Sequence, residues 1–204
     1  MFPACELNNT FYQQPTETKV EAWLAETPPD FRFSVKAQRS ASLASLAGSS
    51  SGSVDWLTRP MEWFGDRLGC VLLRVPANVH RDDDRLAAML AAWPHRIPLV
   101  TEFQDATWAV DETFTALAGA GVVACATDLD GADEPTIRLT GDFVYLRLRR
   151  ASYDDTDLAT WADRLDPFLE AGHDAYVFFR HDEVGRATDF ARRLRELAEE
   201  RLGG

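Results

Sequence analysis

Seven short runs of β-branched, aromatic and aliphatic residues recur along the chain, at about 3–8, 31–37, 69–75, 97–103, 121–127, 142–148 and 174–180. Runs of that length and composition predict strands. Between most of them apolar residues return at a spacing near 3.6, which predicts helices. The first covers 16–26, with Val20, Trp23 and Leu24 on one face. The second covers 54–66, with Trp56, Leu57, Met61, Trp63 and Phe64. A third, 82–93, carries Leu86, Met89, Leu90 and Trp93. A fourth, 110–119, is entered through Asp111 and carries Phe114 and Leu117. The fifth, 155–171, opens on Asp154 or Asp155 and carries Leu158, Trp161, Leu165 and Phe168. The last runs over 185–202, with Phe190, Leu194 and Leu197. Pro28-Pro29 closes the first helix, because proline cannot continue one. Gly119 to Gly121 closes the fourth and Gly172 the fifth. Residues 40–53, rich in Ser, Ala and Gly, predict a flexible loop.

Strict alternation of strand and helix predicts an α/β fold with a parallel sheet. An open doubly wound sheet would open on a glycine-rich first turn, and none exists here. A TIM-barrel-like (β/α) barrel fits better, although an eight-fold barrel needs one more strand than the seven seen. The 204 residues match a single domain, 1–204.

Charge narrows the partners. The chain carries 33 acidic and 21 basic residues, a formal charge of −12. A field of that sign repels phosphate backbones, so nucleic acid is not the expected partner. Cys5, Cys70 and Cys125 form no Cys-x-x-Cys and are expected as reduced core residues. With His80, His95, His173 and His181 scattered, no structural zinc site is expected, and no motif calls for a cofactor. The opening residues have no basic start and no long apolar stretch, so they are not expected to act as a secretory leader, and no run of about 18 apolar residues occurs in the sequence. A cytoplasmic protein that binds no membrane is the expectation.

Chemistry is expected at the carboxyl ends of the strands, where barrels of this class place their sites. The first strand ends with Glu6 and Asn8, two apart and so on one face. The second ends at Lys36. The fourth brings Glu102 and Gln104, and the fifth ends at Asp128. The sixth carries Arg147 and Arg149, and the seventh runs into Arg180-His181-Asp182. Lys36 stands out because positive charge is otherwise carried by 19 arginines and Lys19. A lysine in an apolar strand can change protonation state, whereas an arginine cannot. Glu6 and Glu102 are candidates for acid–base work. Arg147, Arg149 and Arg180 suit an anionic group. Glu6, Glu102, Asp128, His181 and Asp182 offer oxygen and nitrogen ligands to a divalent metal, without a spacing signature.

The run Glu6-Leu-Asn-Asn-Thr-Phe-Tyr12, with Trp23 and Thr27-Pro-Pro-Asp-Phe31-Arg-Phe-Ser-Val-Lys36, resembles the opening of the YecE-like proteins, domain-of-unknown-function family 72. Leu68-Gly69, Glu102 with Trp108, Tyr145-Leu-Arg147, and Tyr176-Val-Phe-Phe with Asp182 and Gly185 extend the resemblance over nearly the whole chain. It implies a TIM-barrel-like fold without an established activity. Members of that family begin with a further strand that is missing here, so the resemblance implies an incomplete or N-terminally truncated eight-fold barrel. A homodimer covering the open sheet edges is a corresponding expectation. Glu6, Asn8, Lys36, Glu102, Arg147 and Asp182 match the family. Ser42-Leu43, Gln104-Asp105, Arg149-Arg150 and Arg180-His181 depart from it. The expected function is a polar rim pocket for a small anionic ligand, serving a hydrolase or lyase acting on a sugar or phosphorylated compound. The catalytic candidates are Glu6, Lys36 and Glu102, and Arg147 would hold the anion. The alternative is a non-catalytic binding or interaction protein on a degenerate barrel.

Overall fold

The computed structural model describes residues 2–46, 50–182 and 185–203, and side chains within them except at 50–52. Seven parallel strands alternate with helices in the α/β, TIM-barrel-like class that the alternation predicts. The chain divides into two compact units, Met1–Val122 and Val123–Gly204.

The first unit holds strands β1 (Ala4–Leu7), β2 (Arg32–Lys36), β3 (Leu68–Val75) and β4 (Leu99–Phe103). They pair in parallel in chain order, with Glu6 opposite Ser34, Lys36 opposite Leu72, and Arg74 opposite Glu102. Its helices are α1 (Glu17–Ala25), α2 (Arg39–Ser45), α3 (Ser50–Thr58), α4 (Asp83–Ala92) and α5 (Asp111–Gly119). Successive strand residues point to opposite faces. One face therefore carries Phe33, Val35, Val71, Leu73, Val75 and Leu99, all buried. Phe33 packs on Phe64 at 5.4 Å between ring centroids, and Trp23 stacks on Phe64 at 6.3 Å.

The second unit holds β5 (Val123–Asp128), β6 (Phe143–Leu148) and β7 (Asp174–Phe179), again parallel in chain order, with helices α6 (Asp155–Glu170) and α7 (Arg186–Leu202). Val144, Leu146 and Leu148 join Leu158, Trp161, Leu165, Leu194 and Leu197 in one apolar cluster. Asp154 opens α6. Its carboxylate accepts from Asp157 N at 2.8 Å while the Asp157 carboxylate accepts from Asp154 N at 3.0 Å. That reciprocal cap satisfies two donors that a helix start leaves without partners.

Punctuation falls where the glycines and prolines place it. Gly121 (φ +65°) and Gly172 (φ +85°) sit just past α5 and α6 in the left-handed region that glycine adopts without steric cost. The predicted helix 54–66 is instead two pieces, α3 and a 3₁₀ segment, Arg59–Arg67, because Pro60 lacks the N–H that would continue the first. The loop expected over 40–53 is corrected to helix at both ends, with 47–49 outside the described residues. There Gln38 Oε1 accepts from Ala41 N at 3.0 Å, and Ser42 and Ser45 turn their hydroxyls back onto Gln38 O and Ser42 O. Serines that satisfy themselves in this way can be buried in a helix.

The α6 face dominates the second core. Trp161 is buried there, and Arg164 lies 4.2 Å over its ring. Trp161→Ala is expected to lower unfolding free energy by about 3–5 kcal/mol in urea titrations. Leu202→Ala, at an exposed position, is expected to change it by less than about 0.5 kcal/mol.

Candidate functional site

The other face of the first unit's sheet carries its chemistry. By register and alternation, Glu6, Ser34, Lys36, Cys70, Leu72, Arg74, Val100 and Glu102 lie on one side. Asn8 and Gln104 follow β1 and β4 just beyond the strand ends. Glu6, Lys36 and Glu102 therefore belong to one surface of one sheet, and Asn8 reaches it through its bond to Lys36.

Lys36 is the last residue of β2 and only 8% exposed. Its Nζ donates to Asn8 Oδ1 at 3.3 Å and lies 4.4 Å from the centre of the Phe11 ring. The ring face offers the ammonium negative potential in place of lost water. Asn8 and Phe11 are brought there by the 3₁₀ turn Asn9–Phe11, which follows β1. Thr10 pins that turn. Its buried hydroxyl lies 2.7 Å from both Leu7 O and Lys36 O.

Glu102, the fourth residue of β4, is 2% exposed. Its Oε2 lies 3.2 Å from Arg74 Nε across the β3–β4 pair. The two pair as charges, yet the Arg74 N–H is not aimed for a hydrogen bond and is buried without another acceptor. Arg74 is a functional candidate that sequence reasoning missed. Its signal was present, since it interrupts the apolar run Val71-Leu-Leu-Arg74-Val just as Lys36 does. Lys36 faces Leu72, two residues before Arg74, so the two cationic residues are diagonal neighbours with Cα atoms roughly 8 Å apart by strand spacing.

Loops hold this edge in place. Trp108 stacks on Phe103 at 4.4 Å and donates from Nε1 to Val79 O at 2.8 Å, tying the end of β4 to the loop after β3. Arg81 N donates to Thr107 Oγ1 at 2.8 Å, and His80 Nδ1 lies 3.2 Å from Asp105 Oδ2. Gln104 is exposed. Deeper in the sheet, Cys70 donates to Ser34 Oγ at 3.4 Å. Burial, with the Glu6 charge adding, pushes the Cys70 thiol up to about 12 and Cys5 to about 11. Thiols raised in this way carry little thiolate at neutral pH, the form a nucleophile needs.

In the second unit Arg147 is buried on the face that also carries Cys125, Thr127, Tyr145, Tyr176 and Phe178. Arg149 follows β6 and is half-buried. Arg180 and His181 are exposed beyond β7. Asp182 accepts from Arg186 N at 2.9 Å, at the start of α7.

Asp128 sits apart from these. Strand β5 ends at Asp128, and alternation puts that residue opposite Leu148 on the helix-packed face, while Thr127 faces Arg147. There its Oδ2 accepts from Arg150 Nε at 2.8 Å and from the Tyr153 hydroxyl at 2.9 Å. Arg150 also lies 4.4 Å over the Tyr153 ring and pairs with Asp157 at 3.0 Å. The structure thus brings Asp128 to a clamp on the loop between β6 and α6, not to the face of Arg147. Among the described residues, no three His, Cys, Asp or Glu side chains gather as a metal would require. None of the described helices is long and apolar enough to cross a membrane.

These features define an α/β, TIM-barrel-like protein with buried charge at its strand ends. Residues 1–203 match the family described as "Protein of unknown function DUF72". The chain belongs to that family, which is the YecE-like family. A DUF72 family protein of Thermotoga maritima is similar in structure, with a TM-score of 0.83 and 24% identity over 97% of this chain and 85% of that one. A DUF72 family protein of Enterococcus faecalis gives a TM-score of 0.81 and 15% identity over 97% of this chain and 90% of that one. At these identities the likeness is one of fold. Among curated proteins, none matches.

The Asp128 clamp has a pH signature. Burial works to raise the Asp157 carboxyl, but the Asp154 N–H and Arg150 outweigh it and hold the carboxyl below the usual range. Its ionised form therefore stabilises the fold above the unfolded value near pH 3.9, and the contribution is lost as pH falls through the lower folded value. Asp157→Asn is expected to lower the urea midpoint at pH 7. The gap from the parent protein should close toward pH 2–3, and a gap constant over that range would contradict the assignment.

Proposed function

We propose that the polar sheet face of the first unit binds a small anionic ligand, a sugar phosphate or a comparable phosphorylated compound. The observation that carries this reading is the placement of Lys36 and Arg74 on that face as diagonal neighbours, the latter with a buried N–H that lacks a hydrogen-bond acceptor. A buried donor without a partner costs about 1–3 kcal/mol, a cost that an incoming oxyanion removes. Lys36 is held ready by Asn8, Thr10 and Phe11, so little ordering is needed when a ligand arrives. In the second unit Arg147 and Arg149 provide cationic groups suited to the same class of ligand.

The reaction class that fits is hydrolysis or elimination, with Glu102 as the acid–base residue and Lys36 as the electrophile that draws charge from the departing oxygen. Glu6 serves that chemistry less well, because it lies opposite Ser34, about two residues deeper in its strand than Lys36. The second reading is a binding module without turnover. It is favoured by the use of Asp128 and Arg150, beside the substituted family positions, as a structural clamp.

Thermal melts against phosphate, glucose 6-phosphate, ribose 5-phosphate, citrate and neutral glucose test the proposal. A ligand at 100 times its dissociation constant stabilises by about 2.7 kcal/mol, a rise of roughly 5–10 °C for this length. The anions are expected to shift the melt and glucose to leave it unchanged. Lys36→Met and Arg74→Met, both still folded by circular dichroism, are expected to lose the shift. Retention of the shift in both variants, or no shift with any anion, would refute the reading. Glu102→Gln is expected to bind but not to turn over, which separates the enzyme from the binding module.

A further inference from the structure

The segment that holds Lys36 also presents an aromatic ring to solvent. Tyr12 directly follows the 3₁₀ turn Asn9–Phe11 and is 80% exposed. Such exposure usually accompanies a loose loop, yet this segment is fastened on both sides of Tyr12. Thr10 bonds to Lys36 O at 2.7 Å, and Gln14 Nε2 donates to Trp56 O at 3.0 Å on α3. Trp56, where the second tether lands, is itself 48% exposed. Two large aromatic side chains are thus kept in water on backbone that is held in position. Leaving them there forgoes burial that either could contribute, since each aromatic has a large apolar area to lose from water.

Their distance from the buried ammonium gives them a use. Lys36 Nζ is 4.4 Å from the Phe11 ring centre, and the Phe11 centre is 5.4 Å from that of Tyr12 at a near-perpendicular angle. The Tyr12 ring therefore lies within about 10 Å of the ammonium. A phosphate on Lys36 and a flat ring on Tyr12 would be separated by about one pentose. Planar heterocycles stack on aromatic side chains whatever their hydrogen-bonding edge.

We propose that the ligand of this face is a nucleoside monophosphate, with its phosphate at Lys36 and Arg74 and its base stacked on Tyr12. The inference rests on the anion-binding reading above and names its ligand class. A single nucleotide suits the chain better than a nucleic acid, because a net charge of −12 opposes a long phosphate backbone but only modestly opposes one phosphate group. Trp56 offers a second stacking face on the element tethered through Gln14.

Calorimetric titrations with AMP, ribose 5-phosphate and inorganic phosphate separate the two layers. AMP is expected to bind at least about 10-fold tighter than ribose 5-phosphate, the step that stacking one base contributes. Tyr12→Ala is expected to erase that step, leaving the melting temperature and ribose 5-phosphate binding unchanged, and Tyr12→Trp to keep it. Equal affinities for AMP and ribose 5-phosphate, or an AMP advantage that survives Tyr12→Ala, would overturn the nucleotide assignment while the anion site stands. Failure of all three probes to bind would overturn both.

Discussion

A strand packed on both faces has no wet side, so every charge it carries must be met by a partner built into the fold. That requirement governs this protein more than any single contact. An ion in a low-dielectric interior loses several kcal/mol of hydration, which attraction offsets only with good geometry. Three solutions are visible. Lys36 is met by an amide oxygen and an aromatic face. Glu102 is met by Arg74 from the neighbouring strand. Asp128 is met by a guanidinium and a phenol.

These solutions differ in how complete they are, and that difference separates architecture from chemistry. The Asp128 clamp closes on itself, with Arg150 shared among Asp128, the Tyr153 ring and Asp157. It ties strand, loop and helix start together within a few residues. The Arg74–Glu102 pair brings the charges close but leaves the Nε–H unsatisfied. A buried donor without an acceptor is a cost that a ligand can relieve, whereas a saturated network resists one.

The loop after β1 connects the two roles. Thr10 and Gln14 fasten it to β2 and α3, and the same short stretch supplies Asn8 and Phe11 to Lys36. Its rigidity comes from side-chain bonds to backbone carbonyls rather than from regular structure. A lysine at the end of β2 thus owes its setting to residues nearly 30 positions earlier in the chain.

Much of this was legible in the residues. The seven strands came from short runs of β-branched, aromatic and aliphatic residues, the long helices from period 3.6, and their ends from Gly121, Gly172 and the prolines. Those signals are local, because backbone geometry and side-chain alternation act within a few residues. The strand-end candidates of the first half were legible for the same reason: residues two apart share a face. What the tertiary structure alone decided was pairing. Arg74 meets Glu102 only through the β3–β4 register, and Asp128 turns to the helices because the β5–β6 register sets it opposite Leu148, one residue out of phase with Arg147. The serines of α2 read as a loop until their hydroxyls found carbonyls of their own helix. In each case a polar group took its role from the partner that burial required, and no local pattern along the chain encodes which distant residue that partner will be.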